Sequence, residues 1–569
     1  MHSFDHGRLE ADYEKPLIDI ILALGAWQIR RDEILAPSTS TNVNIPPGAD
    51  HVWAEGAQAN IFSSFKVPTN QQLMALLLLC EYAHRTEHFS WAFGMAGCVF
   101  RHIRILGLDV PRGDSSSLSL VTPEREIEHR IVWASYSIDV LLGSGVDKHS
   151  SWGNDFPRIP LPCSNESVLS QEASQPLFLA SIEELGTSSI VPVLDLPALN
   201  VVLIHLRTRV LRCIRTAQMY DTIETPTSPF VSLLAQLERF RTQLPSKWEL
   251  TELNIYVHKD HRVLGGVVFL HMLYHAALCD LTRISLPGFD FPLADAVRRS
   301  PSQMVRSCQQ RCCFHAEEIS NIIRRIQLAG DTAFDDPFVA DATMESTKIQ
   351  IIYSAIISQH VNFRATRNNI MLNMDLLHRL RLDRSKPSPH VQALLPICNA
   401  FGFHDIAGEY GAESIERLVE VTGPADLDHL SNISHFRRAR HEAADGQQIA
   451  SAACAPSSAS GTSPGTLDSR VPPEITNGAR YADNEPATAR NLGQPDTYTW
   501  LPHPAAAPVP EIPLHDGSNL PHTTWSASSL EPAAAEDYTR VAEEMSQYLT
   551  RTGADLSTLW DFDMMYQEP

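Results

Sequence analysis

Apolar residues recur every three or four positions along most of the first 400 residues, and this spacing predicts one helix after another. The best-marked case is 122–162, which reads as one amphipathic helix followed by an extended loop. Ile127, Ile131, Ala134 and Ile138, with Trp133 beside them, form one face, while Glu126 and Arg130 stand four apart and pair across a turn. Thr122 suits the N-cap, Pro123 the first helical position, and Glu124 and Glu126 the positive end of the helix dipole. The same reasoning predicts helices over 16–30, 71–84, 88–106, 197–219, 230–244, 261–283, 300–326, 337–367, 369–382 and 391–400. The stretch 261–283 is apolar nearly all round, as a central buried helix is, despite Gly265 and Gly266, each costing up to about 1 kcal/mol of helix propensity. Pro46, Pro47 and Gly48 interrupt the pattern, and 164–187 reads as a polar surface loop. No alternating run is long enough for a sheet, so the expected fold class is all-α.

Composition divides the chain further. Residues 1–440 carry the helical pattern, with its clearest part at 16–403. Residues 441–529 are rich in Ala, Ser, Pro and Gly and too poor in periodic apolar residues to offset ordering entropy, which predicts a disordered linker. Residues 530–569 interleave acidic residues with aromatic and aliphatic ones, among them Leu559, Trp560, Phe562 and Met565. That interleaving suits a segment that folds on binding and offers these four side chains to a hydrophobic groove; a terminal helix docked on the body is the plainer reading.

The net charge of −22 and pI near 5.5 argue against a broad basic surface for nucleic acid. Ten scattered cysteines and the hydrophilic start suggest a reducing compartment, and the longest purely apolar run, 73–80, is too short to span a bilayer. No membrane partner is therefore expected. Arg437, Arg438 and Arg440 form a short basic run suited to nuclear import, to a phosphate contact, or simply to a solvated helix end.

Enzyme signatures are weak. There is no phosphate loop, nucleophile elbow or dinucleotide fingerprint. His84 to His88 fits a His-x-x-Glu-His zinc pattern but falls at a helix join, and no further acidic ligand is identifiable downstream, so a structural role is read there. His258/His261 and His271/His275 are read the same way. Cys308, Cys312 and Cys313 lack the spacing of a zinc array and read as buried small side chains.

Four segments carry a family resemblance. They are Gly97 to Leu108, with its Leu-Gly-Leu step at Gly107 and Leu108; the helix bearing Glu128, Arg130, Trp133 and Asp139; Ile159-Pro160-Leu161-Pro162; and the Leu-Pro-x-x-Trp corner ending at Trp248. Together they resemble the fungal-specific transcription factor domain, or middle homology region, of fungal zinc-cluster regulators. The likeness covers 16–403 and is strongest over 97–162; Val140 stands where the family has Arg, and Gly145-Val146-Asp147 replaces its Gly-Arg-Pro turn.

The resemblance implies a nuclear, non-enzymatic regulator of RNA polymerase II genes. Its helical body would carry these motif residues structurally, and its tail would meet coactivators or the transcription machinery. It also implies DNA as a partner, directly or through another protein, a small-molecule effector, and a homo- or heterodimer. The family's zinc cluster needs six cysteines in a tight array, which these 569 residues do not contain. Hence no cofactor is expected in this chain, zinc being expected only in an N-terminal module ahead of Met1. The alternative from another class is a co-regulator that makes no DNA contact of its own.

Overall fold

A computed structural model of the chain describes residues 13–411, apart from 36–44, 64–67, 112–121, 165–167, 169–175, 185–193, 216–227, 290, 357–362 and 381–387. The basic run at 437–440, the linker and the acidic-aromatic segment lie outside the described residues.

Among the described residues there are sixteen α-helices and no strand, so the fold is all-α. In chain order they are α1 Lys15–Leu35, α2 Ala49–Ser63, α3 Asn70–Arg85, α4 Phe89–Leu106, α5 Pro123–Gly143, α6 Leu179–Glu184, α7 Leu196–Arg215 and α8 Pro229–Gln243. There follow α9 Glu252–Asp260, α10 Leu264–Thr282, α11 Ala294–Arg299, α12 Ser302–Ile326, α13 Pro337–Ile356, α14 Phe363–Arg379, α15 Pro389–Ala400 and α16 His404–Gly411. The boundaries follow local chemistry. Thr69, Thr122, Ser228 and Thr251 each cap a helix by accepting a backbone N–H three residues on, and Gly107 closes α4 in the left-handed region at φ 60°.

One large core runs from α1 to Leu376 of α14, and a smaller one, around Ile351, Met374, Leu394 and Phe403, joins α13 to α16. At the centre of the first lies α10, packed against α7, α12 and α13. Leu264–Ser285 is long and apolar enough to cross a membrane, but 94% of the segment is buried inside the body, which makes it the core helix of a packed domain.

Several segments differ from the sequence expectation. The interruption near Pro47 is short, because α2 begins at Ala49 and buries Trp53, Ala54, Ala57 and Ile61. Residues 164–187 are not all surface loop: Val168 and Leu179 are buried, α6 forms at Leu179–Glu184, and Phe178 bridges antiparallel to Pro160. The expected helix 261–283 is preceded by the separate α9 and starts at Leu264, after Arg262 turns the chain at φ 58°. Likewise 300–326 follows the short α11, and of the two helices expected at 337–367 and 369–382 the first ends earlier, at Ile356, and the second begins earlier, at Phe363.

Candidate functional site

The family-like residues converge on the loop after α5. Glu126, buried in the first turn, accepts from Arg130 Nε at 2.8 Å and from the Cys163 backbone N–H at 3.1 Å, while Arg130 Nη2 donates to the Cys163 carbonyl at 2.8 Å. One turn on, Trp133 Nε1 donates to the Pro160 carbonyl at 2.7 Å. At the far end, Asp139 accepts from Ser150 Oγ and from the backbone N–H groups of Ser151 and Trp152 at 3.0 and 3.1 Å. The helix thus holds the loop 150–163 by three fixed points along its length. Glu128, half-buried, pairs instead with Arg125 at 3.2 Å.

The same loop is pinned from α4 and α7. Trp152 packs edge-on to Phe100 and Tyr136, and Arg104 lies over its ring while binding Asp109 and Asp155 at 2.6 and 2.7 Å. Gly97 sits on α4 facing Ser151, Leu108 is buried after the Gly107 turn, and Pro160 and Pro162 flank the buried Leu161. Gly145 has φ 75°, and a Cβ there would stand 2.3 Å from Leu211 Cβ of α7. Sequence reading noted Gly145 only as a departure from the family turn and named neither Trp152 nor Arg104. Their roles depend on elements far apart in the chain.

A second cluster surrounds Trp248. His258 Nε2–H donates to the Lys247 carbonyl and His271 Nε2–H to the Trp248 carbonyl, both at 2.8 Å, and the His258 ring stacks on the half-buried Trp248. Deeper in, His275 and His315 share a hydrogen bond between their Nδ1 atoms at 2.9 Å. Burial drives both imidazoles down, His315 to about 4, with the nearby Arg311 adding to its shift; His275 is lowered well below its ordinary value by burial, then by His315 and His271. These histidines are neutral structural groups near neutral pH.

A third, charged cluster lies where α7, α10 and α13 meet. Asp280 binds Arg207 Nε and Arg283 Nη2, each at 2.9 Å, and Glu345 binds Arg283 Nη1 at 2.7 Å and Lys348 Nζ at 2.5 Å. Nearby, Ser346, Gln350, Ser320, Asn369, Asn373 and Thr347 form a buried hydrogen-bonded network between α12, α13 and α14.

The titratable groups of the described residues are mostly held by their surroundings. Burial pushes the thiols up, to about 11 at Cys213 and Cys308 and about 12 at Cys163 and Cys398, which removes thiolate reactivity. Asp336 is raised to about 7 by burial and by Glu81, but its Oδ1 is engaged in accepting from the Phe338 N–H at the start of α13. Among the described residues no three His, Cys, Asp or Glu side chains are grouped to hold a metal ion. His84 and His88 are turned apart by Glu87 at φ 62°, one ring meeting Phe89 and the other stacking with His51. Cys279 and Cys312 point their sulfurs at each other's carbonyls, so the donor set does not fit a zinc cluster.

No family model matches the chain, and no solved structure matches it. The chain is similar to a Zn(2)-C6 fungal-type transcription factor, FTF1c, of Fusarium oxysporum f. sp. lycopersici, with 22% identity over 351 residues. That alignment covers 58% of this chain and spans 36% of the relative's length.

Proposed function

We propose that this chain is a nuclear regulator of transcription in which the helical body receives a signal and the acidic-aromatic segment 530–569 engages coactivators. The observation that carries the reading is the 351-residue similarity to a fungal transcription factor, distant but extensive. One structural feature supports it: the motif residues Glu128, Arg130, Trp133, Asp139, Pro160 and Pro162 belong to one helix and the loop it holds. No zinc is assigned to these residues; the relative's Zn(2)-C6 designation describes that protein.

Residues 536–569 fused to an unrelated DNA-binding domain provide the test. Reporter output should rise, and a Trp560→Ala/Phe562→Ala variant should lose most of it; equal inertness of both would remove the activation half of the reading.

A second reading has its own support. The net charge of −22 opposes direct contact with DNA, which fits a co-regulator or heterodimer partner that reaches promoters through another protein. Gel-shift with the purified chain separates the two, because sequence-specific binding by the chain alone would defeat the co-regulator.

A further inference from the structure

Helix α9 turns its large apolar residues outward. Only His258 of the nine residues is buried. Its ring bonds to the Lys247 carbonyl and stacks on Trp248, and Asn254 Nδ2 donates to the carbonyls of Ser246 and Glu249, both at 2.9 Å. The inward side is therefore held mainly by polar contacts. On the outward side Leu253 and Tyr256 are 71% and 73% exposed, with Val257 exposed beside them, and spacings of three and four set them in one stripe. Leu328, 89% exposed, joins this surface, because Lys259 Nζ donates to the Ala329 carbonyl at 2.5 Å and ties that turn to the C-terminal end of α9. No other described helix exposes three large apolar residues.

A helix of nine residues is marginal in water by itself, and an uncovered apolar stripe does nothing to stabilise it. Single exposed apolar residues are ordinary, but these four together expose on the order of 500 Å², the size of a functional patch on a monomer. The charges beside the stripe are complementary to themselves. Glu252 and Lys259 are exposed and seven residues apart, which puts them on the same flank of the helix. When α9 packs antiparallel on α9 of a second copy, about a two-fold axis near Tyr256, Glu252 comes beside Lys259 of the second copy, and the pair occurs twice. The helix dipoles then run in opposite directions, and Asp260 lies next to the helix start of the second copy, where a carboxylate is favoured. Leu253 meets Leu328 of the second copy. A parallel arrangement would instead set Glu252 against Glu252 and Lys259 against Lys259.

We propose that the outward face of α9, with Leu328, is the surface through which two copies of this chain pair antiparallel. The four side chains and their polar rim on each copy give a total buried area of about 1,000–1,200 Å², the low end for a specific interface. Pairing is therefore weak, with a dissociation constant on the order of 10 µM. The surface belongs to the helical body and does not rest on the regulatory reading.

Sedimentation equilibrium of the full chain from about 1 to about 100 µM tests the proposal, with helical circular dichroism as the check that each variant is folded. A monomer–dimer equilibrium is expected, weakened at least tenfold in Leu253→Ser/Tyr256→Ser and unchanged in Val52→Ser, which alters an exposed apolar residue of α2. Glu252→Lys alone and Lys259→Glu alone should each pair poorly with themselves, yet the two variants mixed should form a dimer, because every contact between positions 252 and 259 is then of opposite charge. A chain that stays monomeric throughout this range would overturn the proposal. So would a dimer that Leu253→Ser/Tyr256→Ser leaves intact, or charge variants that self-associate as the unaltered chain does. Dimerisation seen only in Trp560→Ala/Phe562→Ala would also overturn it, by making the chain's own acidic-aromatic segment the occupant of this face.

Discussion

Asp139 makes its bonds to the loop beyond its helix. Its carboxylate accepts two backbone N–H groups and one hydroxyl from residues 150–152, so removing it leaves three donors to find new partners in a buried place. Asp139→Ala is expected to cost roughly 2–4 kcal/mol in urea unfolding, and Asp139→Asn less, because one acceptor oxygen survives. Gly145 is constrained differently. Its φ of 75° disfavours any L side chain, and the added Cβ would collide with Leu211. Gly145→Ala should therefore destabilise by about 2 kcal/mol or more, and Leu211→Ala in the same chain should recover part of that loss if the collision is the cause. Additive losses in the double variant would contradict it.

At the level of elements, the junction of α10 and α12 carries a pH dependence whose sign follows from burial. His315 is at about 4 in the folded chain against about 6.5 unfolded, so between these values the unfolded chain binds more protons and stability falls as pH drops. At the start of α13 the sign is opposite. Asp336, raised to about 7, is protonated when folded and ionised when unfolded between about 4 and 7, so its contribution is lost as pH rises. Separate variants resolve the two. His315→Gln should reduce the positive slope of stability against pH between pH 5 and 6 by up to about 1.4 kcal/mol per unit, and Asp336→Asn should steepen it by a similar amount. Both are read from unfolding curves at fixed pH; a change of opposite sign in either would contradict the burial account.

The elements also show why sequence reading succeeded where it did. Helix α5 was legible because Thr122, Pro123 and the Ile127 to Ile138 stripe agree on one answer. Helices α2 and α9 were not: the buried face of α2 is mostly alanine, with only Trp53 and Ile61 as large apolar residues, and α9 buries only His258. The Glu126–Arg130 pair was readable from a spacing of four. The Arg207–Asp280 pair was not, since its members are 73 residues apart and only packing of α7 on α10 brings them together.

At the scale of the molecule, the described residues form a helical body built around a buried apolar helix, a loop held by the side chains of α5, and a charged cluster beside α7. Such a body suits a protein whose state is read by something else. The regulatory reading then requires that the chain be found at promoters, whether through its own contacts or a partner's. Chromatin immunoprecipitation of the tagged full chain from its native cells, followed by sequencing, measures this directly. The account predicts reproducible enrichment at a limited set of promoters; a chain expressed at normal levels with no enrichment above an untagged control would contradict it.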